Sequence, residues 1–97
     1  MSRGPKRPKR AGVLRFALAA NVAARMVVVF HDQPNETARR KKLAAAAAVS
    51  PSTIGRILNA ETGASLDNIE HIARALGCSV IDLLRLPDSM KQSLDIG

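Results

Sequence analysis

Ser52, Thr53, Arg56 and Asn59 lie within one short stretch, with Gly55 leaving a gap among them. Their hydroxyls, guanidinium and amide can donate and accept hydrogen bonds, and Arg56 adds a permanent positive charge. None is paired with a general base in a way that makes a nucleophile. Ser50 and Ser52 flank Pro51, which is the chemistry of a helix start. His31 and His71 are the two histidines, and neither has a carboxylate or cysteine pattern beside it that spells a metal site. There is no phosphate-binding glycine loop. The chemistry on offer is therefore recognition, with no enzyme activity, metal or cofactor expected.

A polar face of this kind needs a scaffold. Arg40 to Ile57 reads RKKLAAAAAVSPSTIGRI, two short helices joined by a tight turn at Ala48-Val49-Ser50. Ala44 is small where the helices would cross. Val49 can plug the core from the turn. Ile54 and Ile57 anchor the second helix and leave Ser52, Thr53, Gly55, Arg56 and Asn59 outward. That is the arrangement by which a helix-turn-helix lays its second helix in a major groove of DNA.

The flanking elements read as helices too. Leu14, Leu18, Val22 and Met26 recur every four residues across 13–30, with the β-branched Val27-Val28-Val29 expected to fray or extend. Pro34 sets a loop at 31–35, and Asn35 is placed to cap a helix over 36–48, with Glu36 in its first turn. Ser50 and Pro51 start a third helix to about Ala60, with Gly63 as its breaker. Ser65 caps a fourth, whose apolar stripe is Leu66, Ile69, Ile72, Ala73 and Leu76, and Gly77 ends it. Ser79 caps a fifth, Val80 to Leu86, which Pro87 stops. Phe16 and Phe30 sit at positions suited to a core, and Cys78 reads as a small buried hydrophobe. The single cysteine excludes an intramolecular disulfide and any cysteine-pair zinc site.

Charge is divided along the chain. Residues 1–56 carry twelve basic groups against Asp32 and Glu36, a balance of +10, whereas residues 57–97 sum to −3. One part of the molecule can face a polyanion while the other does not. Residues 1–12 form a basic arm containing Pro and Gly, expected to be disordered when free. It reads as an arm that wraps DNA, as a localisation-like basic run, or as a solvated tail. Apolar runs such as Met26 to Phe30 are far short of the ~20 residues a membrane span needs. Arg15 and Arg25 interrupt what would be a signal peptide, so a cytoplasmic location is expected.

The stretch VSPSTIGRILNAETGASLDNIEHIARALGCSVIDLL resembles the lambda-repressor and Cro-like helix-turn-helix regulators, with the similarity running over about 39–86. The resemblance implies an all-α, compact five-helix domain over 13–86, its helix-turn-helix at 36–60, with the arm at 1–12 and a tail at 87–97. It implies a transcriptional regulator of double-stranded DNA, a repressor by preference. Carried over by position, Pro51, Ser52 and Arg56 match base-reading sites, with Arg56 suited to guanine and Pro51 limited to apolar contact. Arg40, Thr53 and Asn59 match sites that touch the DNA backbone. Lys41 and Lys42 add phosphate contacts or form a solvated face. Lys6, Arg7, Lys9 and Arg10 are the arm's candidates.

Two positions depart from the family pattern. Arg40 stands where Gln is common, and Ala48 stands where the turn usually has Gly. The loop at 31–35 also separates the first two helices by more than the family often allows. Homodimerisation is implied, its surface expected from Ile81, Leu83, Leu84, Leu86, Met90, Leu94 and Ile96, unless most of these only close the core. The competing reading is an antitoxin-type protein that binds its operator and a partner toxin through its acidic C-terminal part. Non-specific or RNA binding is disfavoured because it calls for aromatic stacking platforms, and a membrane-surface role because helix one carries only Arg15 and Arg25.

Overall fold

Side chains that grip the backbone set the helix boundaries. The computed structural model describes residues 13–61 and 64–87. These hold five helices and no strand: α1 (Val13–Val29), α2 (Glu36–Ala47), α3 (Pro51–Leu58), α4 (Leu66–Leu76) and α5 (Val80–Leu84). Four polar caps start α2 to α5. The Asn35 side chain accepts from the Ala38 N–H at 2.8 Å, Ser50 Oγ from Thr53 at 3.2 Å, and Ser65 Oγ from Asn68 at 3.1 Å. Ser79 and Asp82 cap reciprocally, Ser79 Oγ accepting from the Asp82 N–H at 3.0 Å and Asp82 Oδ2 from the Ser79 N–H at 3.2 Å. Each satisfies a first-turn donor that the helix itself cannot.

Three helices end alike. Ala48, Ala60 and Gly77 take left-handed backbone, at φ of 57°, 56° and 70°. The residue after each donates back to the carbonyl five positions earlier: Val49 to Ala44, Glu61 to Arg56 and Cys78 to Ala73, each at 3.0 Å. This is the Schellman closure, and glycine is its usual occupant because a Cβ is strained there.

The core is aliphatic. Leu18, Val22 and Met26 of α1 meet Leu43, Ala44 and Ala47 of α2, Ile54 and Ile57 of α3, Ile69, Ile72 and Leu76 of α4, and Leu83 of α5. Among the described residues no polar or charged residue is buried as a whole. The polar side chains of α1 serve as clamps on three other helix ends. Arg15 Nη1 donates to the Glu61 carbonyl beyond α3 at 3.3 Å. Asn21 Nδ2 donates to the Leu83 and Arg85 carbonyls at the end of α5, at 2.8 and 2.7 Å. Arg25 Nε and Nη2 donate to the Leu76 and Gly77 carbonyls at the end of α4, both at 3.3 Å. Helix C-termini expose carbonyls without intrahelical partners and carry partial negative charge, so donors and cations are favoured there.

Several expectations are corrected. Leu14, Phe16 and Leu66 are 57%, 54% and 73% exposed, so none is a core residue. Val27 to Val29 stay helical, and neither fray nor extend. α2 stops at Ala47 and α3 at Leu58, where a left-handed Ala60 ends the helix ahead of Gly63, the expected breaker, which lies outside the described residues. α5 ends at Leu84, where Arg85 turns extended. Leu83 is a core residue and cannot serve a dimer surface, and Leu84 packs half-buried against the core. Met90, Leu94 and Ile96 lie outside the described residues. Cys78 is half-buried and not fully enclosed.

Candidate nucleic-acid interface

α3 is held by its apolar side and presents its polar side. Ile54 and Ile57 are 0% and 2% exposed, and Val49 packs from the turn as expected. Ser52, Arg56 and Asn59 fall at spacings of four and three, which places them along one helix face. All three are exposed, as is Pro51 at the helix start. Among the described residues the Arg56 guanidinium makes no ion pair. Asn59 Nδ2 donates to Glu61 Oε2 at 3.3 Å, a long bond that leaves its amide oxygen open. Thr53 is half-buried, and its hydroxyl lies 2.9 Å from Ser50 Oγ. The turn thus already holds Thr53, which narrows what it can offer a second partner.

Arg40 lies on the side of α2 that also carries Ala44 and Ala47, so it is drawn toward α3. A methyl built on Gly55 would stand 3.8 Å from Arg40 Nη1. Arg40 Nη2 donates to Glu36 Oε2 at 3.0 Å, while its Nε is buried without a hydrogen-bond partner among the described residues. Arg39 Nε is in the same position. Sequence reading passes over Arg39, whose only signal is membership of the basic run 39–42. Lys41 and Lys42 are exposed. Successive helical residues turn by ~100°, so Lys42 leaves α2 on nearly the opposite side from Arg40. The structure groups Arg40 with α3 and does not group Lys42 with it.

Lys6, Arg7, Lys9 and Arg10 lie outside the described residues. α1 begins at Val13, and Arg15 grips the carbonyl of Glu61 just beyond α3. The start of α1 therefore lies near the C-terminal end of the helix that carries Arg56 and Asn59. Among the described residues, no three His, Cys, Asp or Glu side chains are grouped to hold a metal, and no helix is long and apolar enough to cross a membrane.

Two packed helices joined by a left-handed turn, the second showing a short polar face, define a helix-turn-helix DNA-binding domain. Residues 36–89 match the Cro/C1-type HTH DNA-binding domain, and the chain belongs to that family. The whole fold is similar to the crystal structure of a hypothetical transcription factor, NHTF, from Neisseria, with a TM-score of 0.66 and 22% identity over 95% of this chain and 97% of that one. That likeness speaks to the fold alone. No curated protein sequence matches the chain.

Proposed function

We propose that the protein is a sequence-specific transcriptional repressor that reads double-stranded DNA in the major groove with α3. The observation that carries this reading is the exposed Ser52–Arg56–Asn59 face on a helix anchored by Ile54 and Ile57. Arg56 reads guanine through O6 and N7, Ser52 bonds a neighbouring base edge, and Pro51 offers apolar contact to a thymine methyl. Arg40, Thr53 and Asn59 contact the sugar-phosphate backbone and fix register. Lys41 adds charge, Lys42 leaves α2 on the far side from α3, and Lys6, Arg7, Lys9 and Arg10 follow the duplex. The protein acts as a homodimer in the cytoplasm, on a near-palindromic site.

Selection of binding sites from a random duplex library at ~150 mM salt, where phosphate-only binding is weak, tests this. A two-fold-symmetric site should emerge. With Arg56→Ala one base pair per half-site should relax, at a cost of ~1–3 kcal/mol. Binding that fades with salt and enriches no sequence would overturn the reading.

A further inference from the structure

α1 meets its own domain with the apolar Leu18, Val22 and Met26 and three polar clamps, yet it is apolar toward solvent as well. Its three clamps, Arg15, Asn21 and Arg25, are hydrogen-bonded to the ends of α3, α5 and α4. Its outward positions are Phe16, Ala20, Ala23 and Val27, all exposed. Phe16 and Val27 are 54% and 52% exposed, and the neighbouring Val28 is 69% exposed. A surface helix ordinarily turns charged side chains outward. This stripe has none.

The spacing of the stripe is four, three, four, the interval at which one helix seams against another. The stripe is also symmetric about its centre, between Asn21 and Val22. Reversing α1 about that point brings Phe16 opposite Val27 and Ala20 opposite Ala23. A two-fold interface demands this self-complementarity, since each copy presents the same patch in reverse. The two large residues lie at the ends and the two alanines at the middle, so the backbones can approach closely where they cross. We infer that α1 is the homodimer surface, pairing antiparallel with α1 of a second copy. The inference rests on the homodimer reading above and not on which bases α3 reads.

The size of the patch sets the strength. Phe16, Val27 and the exposed alanines of the stripe leave on the order of 300 Å² of apolar surface, within the range of the biggest patch a typical monomer shows. Two copies bury roughly 600 Å², below the span of a stable specific interface and in the range of weak, transient pairing. The dimer is therefore concentration-dependent, and two half-sites on one DNA strengthen it by effective concentration.

Sedimentation velocity on the full chain, from about 1 to about 500 µM, brackets the affinity such a small interface supports. The mass should rise from 10.3 kDa toward twice that value. Ala20→Glu and Ala23→Lys each place a charge in the seam and should hold the chain monomeric over at least tenfold higher concentration. Both replacements are good helix formers at exposed sites, so the domain keeps its fold, which circular dichroism verifies. Mixing the two variants sets the carboxylate introduced in one copy opposite the ammonium introduced in the other. That should restore dimers, which a mere folding defect would not do. Phe16→Gln repeats the test at the end of the seam. A chain that stays monomeric throughout, dimers that persist in every variant, or a mixture that fails to pair would each overturn the inference. Retained binding of the monomeric variants to a single half-site would show that DNA reading is separate from it.

Discussion

The guanidinium of Arg40 on α2 lies against Gly55 on α3, 3.8 Å from where a methyl on that glycine would sit. This is ordinary van der Waals distance, so the gap at Gly55 accommodates the arginine without requiring a glycine. A helix-interior glycine costs ~0.5–1 kcal/mol relative to alanine. Gly55→Ala should therefore raise thermal stability, by roughly 3–6 °C at the sensitivity of a domain this small. A fall in the melting temperature would mean that the Arg40 contact cannot yield.

The left-handed helix ends give a paired prediction. Ala48 and Ala60 hold positive φ with a Cβ, whereas Gly77 holds it without one. The strain on a non-glycine residue there is on the order of 1 kcal/mol. Ala48→Gly and Ala60→Gly should each stabilise the domain by up to ~1 kcal/mol, and Gly77→Ala should destabilise it by about as much. Urea unfolding midpoints at constant m-value measure all three. The same sign for all three substitutions would remove backbone strain as the cause.

Helix ends show what was legible in the sequence. Asn35, Ser50, Ser65 and Ser79 cap where expected, because capping joins residues only three apart and needs no tertiary information. Ala60 was not legible, because alanine carries no mark of a left-handed turn and Gly63 was the obvious breaker. Leu14 was misplaced for a geometric reason. It shares the inward side of α1 with Leu18, but it lies in the first turn of the helix, past the end of the core, where it borders an open groove with Ala64 and Leu66. The polar face of α3 was legible because Ile54 and Ile57 fix its orientation. The Arg40–Gly55 contact was not, since it depends on how α2 crosses α3.

Asn21 joins α1 to α5 through two short hydrogen bonds from one amide, to the carbonyls of Leu83 and Arg85 at 2.8 and 2.7 Å. Asn21→Ala should cost ~1–2 kcal/mol, the range for losing partly buried hydrogen bonds. Asn21→Asp should cost more. An ionised carboxylate accepts only, and it would face two carbonyls at the negative end of α5. Thermal unfolding at neutral pH orders the variants. An Asp variant as stable as wild type would show that α5 is held by Leu83 packing alone.

Asp82 gives a pH dependence. The backbone hydrogen bond from Ser79 holds its carboxyl below the ordinary 3.8, with the Ser79 side chain and the nearby Arg85 and Arg25 acting in the same direction. A depressed folded pKa stabilises the fold above the unfolded value, and that stabilisation is lost as pH falls through the folded one. Wild type should exceed Asp82→Asn in stability at pH 7, and the gap should close as pH drops below 3.8. Melting curves along an acid series check it. A gap independent of pH would assign the effect to geometry and not to charge.

Basic residues at the interface should separate into two kinds by their salt dependence. Each phosphate contact contributes about −0.9 to the slope of log affinity against log salt. Arg40 is gathered against α3, its Nε buried and unpartnered among the described residues, whereas Lys42 leaves α2 on the far side. Arg40→Gln should lower the slope by about one and weaken all sequences alike. Lys42→Gln should leave the slope nearly unchanged, because exposed charges beyond about a Debye length are screened. Arg56→Ala should instead lose discrimination at one base pair. Titrations on specific and scrambled duplexes at several salt concentrations distinguish the three. A Lys42 variant matching Arg40 in slope would place the phosphate backbone along the outer side of α2, and would require α3 to enter the groove at a different angle.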